Sequence, residues 1–132
     1  MKLALLFVAL LCAPAYAHDH KRPDLDQWYR GLGSARSPCC TGEEEGTKLI
    51  DADWRMDHLN ECKVTDGQVY GQNAIGTQYC VKMFDVWWLV PDNAVVKGAN
   101  LVGAAIVWPL ISYGKNDEKL VNIRCFMPSP AY

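Results

Sequence analysis

The sequence predicts a mainly β fold: a small antiparallel sheet or partly open barrel, led by one N-terminal amphipathic helix and stabilised by disulfides. Three observations carry that prediction. Short segments rich in valine, isoleucine and aromatic residues recur at close spacing beyond Thr47, with turn residues between them. A single apolar stripe of helical period precedes them. Six cysteines stand in 132 residues, a density suited to an exported chain whose limited core is supplemented by covalent links.

Taken in order, the chain opens with an address. Lys2, the nine apolar residues Leu3 to Leu11, Pro14 and then Ala15-Tyr16-Ala17 supply the charged start, apolar run and small-x-small cleavage site of a secretory signal peptide. Residues 1–17 are therefore expected to be removed, leaving 18–132 as one exported domain, periplasmic or secreted. A spanning helix needs about 20 apolar residues, so no transmembrane segment is expected in the mature chain. Cys12 is not read as a lipidation site, because the residue before it is the bulky Leu11. The net charge of −2 becomes −3 once Lys2 is gone, which argues against an electrostatic grip on nucleic acid.

Pro23 can begin a helix, and Leu25, Trp28, Tyr29 and Leu32 follow at i, i+3, i+4 and i+7 before Gly33 ends it. A polar, turn-rich stretch from Ser34 to Gly46 holds Cys39, Cys40 and Glu43-Glu44-Glu45, an acidic run without calcium-loop spacing. The predicted strands are Thr47 to Ile50, Glu61 to Thr65, Gln68 to Tyr70, Gln78 to Met83, Val86 to Val90, Ala104 to Leu110 and Leu120 to Phe126. Asp66-Gly67, Phe84-Asp85 and Tyr113 to Glu118 are the expected turns. Pro91, Pro109 and Pro128 fall near strand ends, where a missing N–H matters least.

Signal removal leaves five cysteines: Cys39, Cys40, Cys62, Cys80 and Cys125. Neighbouring Cα atoms sit about 3.8 Å apart, closer than an unstrained disulfide allows, so Cys39 and Cys40 should face elsewhere. The expected bridges are Cys62 to Cys80, and Cys125 to either Cys39 or Cys40. One thiol is left free or links two molecules as a disulfide-bonded dimer. Neither a two-residue redox spacing nor a second pair for zinc accompanies the vicinal cysteines.

Three further features bear on function. Trp87 and Trp88 are adjacent on a predicted strand and must point to opposite faces. If one ring is exposed, it forms a ligand or protein-contact surface, with Trp54 and Trp108 as candidate neighbours; otherwise the helix of Leu25 to Leu32 covers that second face. Cleavage after Ala17 would place His18-Asp19-His20 at the amino terminus, where the α-amine, two backbone nitrogens and the His20 ring offer Cu(II) or Ni(II) a planar nitrogen set. His18 offers a second mode through its own amine and ring. Asp57-His58 with a thiol from Cys39 or Cys40 is the only raw material for hydrolytic chemistry, and it reads as an ordinary surface pair.

The segments Ala17-His18-Asp19-His20, Cys39-Cys40, Val107-Trp108-Pro109 and Ile123-Arg124-Cys125-Phe126-Met127-Pro128 together resemble a family of small exported bacterial proteins. The resemblance implies export and a shared fold and transfers no catalytic residue. The stretch from Cys62 to Cys80 departs from it by its greater length. The resulting expectation is a non-enzymatic binding or interaction module of the bacterial envelope, its partner a protein or envelope component. A copper- or nickel-binding protein using His18 and His20 and an inhibitor of an envelope enzyme are the alternatives.

Overall fold

The computed structural model of the chain describes residues 21–40, 48–57, 61–64 and 78–130. Within them the fold is mainly β. A 3-10 turn, Pro23–Leu25, runs into the short helix α1, Asp26–Gly31. Six strands follow: β1 Leu49–Ile50, β2 Trp54–Asp57, β3 Gln78–Met83, β4 Val86–Leu89, β5 Ile106–Tyr113 and β6 Lys119–Met127. They form two antiparallel three-stranded sheets, ordered β1-β5-β6 and β2-β3-β4, in place of the single sheet or partly open barrel expected.

The chain changes sheets at Asp51, whose φ of 61° turns it sharply between β1 and β2. Hydrogen bonds hold both sides of this corner: the Ala52 N–H donates to the Ala105 carbonyl at 3.2 Å, and the Lys82 N–H donates to the Asp53 carbonyl at 2.9 Å. Corners of this kind let stacked sheets share one continuous core. That core joins Val81, Met83 and Trp88 from one sheet to Val107, Val121 and Phe126 from the other. Full burial of a side chain such as Phe126 contributes about 1.5–3 kcal/mol.

Alternation sends the other side chains of β5 and β6 away from this core. Ile106, Trp108, Cys125 and Met127 meet Leu25, Tyr29 and Leu32 of the helical segment. The helix therefore lies on β5 and β6, not over the Trp87 face as expected. The reason is covalent as well as apolar, because the disulfide from Cys39 anchors the end of the helical segment to Cys125.

Sequence and structure agree on β3 and nearly on β4. Among the described residues of Glu61 to Thr65, only Lys63 bridges, in parallel with Trp88, so this stretch forms no strand of its own. β5 starts two residues later than expected because Asn100 claims Ala104, its Nδ2 donating to the Ala104 carbonyl at 2.8 Å. Strand β2 is absent from the expected set, its alternation hidden in the polar segment Trp54-Arg55-Met56-Asp57. Thr47, Gln68 to Tyr70 and the Asp66-Gly67 turn lie outside the described residues.

Candidate functional site

Around Cys39 the chain is shaped by a defect in β6. The register of β5 and β6 shifts between Trp108 and Pro109, leaving Arg124 as an extra residue between Ile123 and Cys125. A bulge leaves backbone groups outside the ladder, and the hairpin from Gly33 to Pro38 satisfies them. Ser34 Oγ donates to the Arg124 carbonyl at 3.0 Å. Arg36 Nη1 donates to the Ile123 carbonyl and to Asn122 Oδ1, each at 2.9 Å. Cys39 then bonds Cys125, with Cα atoms 5.6 Å apart. An open depression of about 400 Å³ lies over this hairpin, with Arg30 and Arg36 on its wall.

Of the two pairings left open for Cys125, the structure takes Cys39. Cys40 is the odd thiol, half-buried against the same cluster as the helix. Burial raises its pKa above the usual thiol range, and the Trp108 indole N–H and the charges of Lys48 and Arg124 offset this only in part. The second bridge is Cys62–Cys80, as expected, with Cα atoms 6.3 Å apart. It packs with Leu89 and Trp87 on the outer face of β3 and β4.

The four candidate tryptophans, Trp54, Trp87, Trp88 and Trp108, do not meet on one surface. Trp88, 4 % exposed, sits in the shared core, and Trp108, 3 % exposed, sits beneath the helical segment. These two are therefore removed from the expected ligand surface, because β-strand alternation and the helix seal them. Trp54 packs edge-on against Tyr79 at 5.7 Å, and its Nε1 donates to Ser129 Oγ at 3.0 Å. Trp87 alone stands on an outer sheet face, half-buried, with the Arg55 guanidinium 4.5 Å from its ring centroid. That cation occupies one face of the ring.

A different exposed apolar surface forms where the two hairpins end, and the sequence reading assigns none of its residues to a site. Met83 pairs with Val86, so Phe84 and Asp85 make a two-residue turn, with φ of 54° and 60°. Two positive φ values define a type I′ turn, which favours asparagine and glycine. Phe84 instead places an aromatic ring there, 50 % exposed. In the last pair of the other hairpin, Tyr113 opposite Lys119, it is Lys119 that reaches this turn. Lys119 Nζ lies 3.7 Å from the Phe84 ring centroid, and Lys63 pairs with Glu118 at 3.6 Å.

Ile111, opposite the buried Val121, continues the inner face of β5 toward Tyr113. Tyr113 is 66 % exposed and Ile111 39 %. Phe84 stands in the turn itself against the Lys119 ammonium, while Ile111 and Tyr113 lie exposed on β5, Tyr113 directly opposite Lys119. The signal that could have found it was Phe84-Asp85 itself, a turn whose first residue is wrong for its backbone.

His18, His20 and His58 lie outside the described residues. Among the described residues, no group of three or more His, Cys, Asp or Glu side chains is placed to hold a metal ion. No helix among them is long and apolar enough to cross a membrane. In comparisons with known proteins, no family model, no curated protein and no solved structure matches this chain.

Proposed function

We propose that the chain is an exported, non-enzymatic binding module of the bacterial envelope whose contact surface is the paired hairpin end of Phe84, Ile111 and Tyr113. The observation that carries the reading is Phe84: a bulky aromatic residue in a left-handed position, half exposed. Such a conformation costs an L-residue about 1–2 kcal/mol, and the ring gives up much of its own burial as well. Contact with a partner offsets both. Aromatic anchors flanked by charge are typical of protein contact surfaces, so the partner is a protein. An envelope enzyme inhibited by the module is one form such a partner takes. The two disulfides support an oxidising compartment.

The test is site-specific photo-cross-linking in the exported protein. Probes at Phe84 and Tyr113 are expected to yield one discrete protein adduct, absent from a probe at Gln27 and lost when Ile111→Ser is added. Equal adducts from Gln27, or none from the hairpin end, would overturn the assignment.

A further inference from the structure

Two arginines of this fold have carboxylates beside them. Arg22 donates from Nε and Nη2 to the two oxygens of Asp24 at 2.9 and 2.8 Å, and Arg55 Nη2 lies 3.7 Å from Glu61. Arg30 and Arg36 have no carboxylate partner among the described residues, although acidic residues outnumber basic ones in the chain, 15 to 13. Both stand on the wall of the open depression, about 400 Å³ in volume, that lies over the Gly33 to Pro38 hairpin.

Arg36 is ordered before anything binds to it. Its Nη1 donates to Asn122 Oδ1 and to the Ile123 carbonyl, each at 2.9 Å, and its backbone N–H donates to the Asn93 carbonyl at 3.1 Å. These bonds use one guanidinium nitrogen and leave Nε and Nη2 without an acceptor among the described residues. Nε and Nη2 form the edge that Arg22 turns to Asp24. Two N–H groups in one plane match the two oxygens of a carboxylate, and a side chain already fixed loses little freedom on binding. Arg30, in the last turn of α1, brings a second positive charge to the same wall.

We propose that this depression is a binding site for a carboxylate ligand, gripped side-on by Arg36 Nε and Nη2 and attracted by Arg30. A phosphate would leave a third oxygen outside the fork. Because the depression is open, the carboxylate enters as the end of the ligand while the rest remains in solvent; a small free acid and the C-terminus of a peptide both present such an end. The site sits over the β6 bulge, away from the Lys119 end of that strand, and does not rest on the Phe84 surface.

The test is nuclear magnetic resonance of the full chain, disulfides intact, titrated with succinate and, separately, with N-acetyl-dialanine. Either probe should move the Arg36 Nε–H resonance downfield to saturation while that of Arg22 stays in place; the probe that saturates first names the source of the carboxylate. Dimethyl succinate and the dialanine amide should leave Arg36 unmoved. Arg36→Lys, which keeps the charge and loses the fork, should weaken binding about tenfold, the factor supplied by one hydrogen bond to a charged group, and Arg30→Gln about threefold, as for one exposed charge. An Arg36 resonance that neither acid moves, an equal shift from the uncharged analogues, or tighter binding of inorganic phosphate than of either acid would overturn the proposal. Should Arg36→Lys not fold, the comparison of acid with ester and Arg30→Gln, which removes no hydrogen bond made among the described residues, decide it.

Discussion

Both sheets turn one face to the shared core, and each needs a cover for the other, but the two covers are unlike. Behind β5 and β6 lies the helical segment, and Trp108 beneath it is sealed. Behind β3 and β4, among the described residues, lie the Cys62–Cys80 bridge and the Arg55 guanidinium over Trp87, while Lys63 pairs along the open edge of β4. One cover is a helical segment held by apolar area and a disulfide; the other, among the described residues, is a disulfide and a cation. The one α-helix among the described residues covers the first sheet, and the closure of the second leaves its tryptophan half open.

The difference predicts a graded response. The Cys39–Cys125 bridge spans 86 residues and Cys62–Cys80 spans 18, so the chain-entropy model gives about 4.6 and about 3.2 kcal/mol respectively. Urea unfolding of the paired Cys→Ser variants should show the larger loss for Cys39 with Cys125. The reverse order would mean that the second cover holds more structure than the first.

Next in size is the response of the tryptophans. Trp108→Ala should cost about 3–5 kcal/mol, as for a large aromatic taken from a core, whereas Trp87→Ala should lose nearer to about 1 kcal/mol, from partial burial and its cation contact. Equal losses in thermal unfolding would erase the contrast between the two faces.

A smaller effect of opposite sign separates the hairpin end from both covers. Phe84→Asn should stabilise the fold by about 1 kcal/mol by relieving the left-handed residue, while weakening adducts formed from a probe at Tyr113. Loss of stability instead would place the Phe84 ring in the core's service. The smallest effect concerns Cys40, whose raised pKa lowers its thiolate fraction at neutral pH. Its alkylation should be slower than that of an exposed thiol at pH 7 and should climb with pH beyond the usual thiol range.

Much of this arrangement was legible in the residues because it depends on local rules. The bounds of β3 follow from alternation, and the split of Trp87 from Trp88 follows from the strand period alone. The Cys62–Cys80 link was readable because both residues flank one loop. The choice between Cys39 and Cys40 was not, since it turns on the Arg124 bulge, which sets where Cys125 points and is a matter of register. The site of helix docking was hidden for the same reason: its stripe says that it packs, and only the distant disulfide says on what. β2 escaped because the charged Arg55 and Asp57 alternate in sequence with Trp54 and Met56, a short segment that reads as polar when counted by composition. The hairpin end needed tertiary information, as Ile111 and Tyr113 belong to an ordinary strand until Lys119 brings Phe84 beside them.

The contrast between the two covers rests on which cysteines are joined, and non-reducing peptide mapping of the protein, with fragmentation between Cys39 and Cys40, measures that directly. The account predicts Cys39 linked to Cys125, Cys62 linked to Cys80, and Cys40 recovered outside both bridges. A Cys40–Cys125 or Cys39–Cys40 linkage would contradict it.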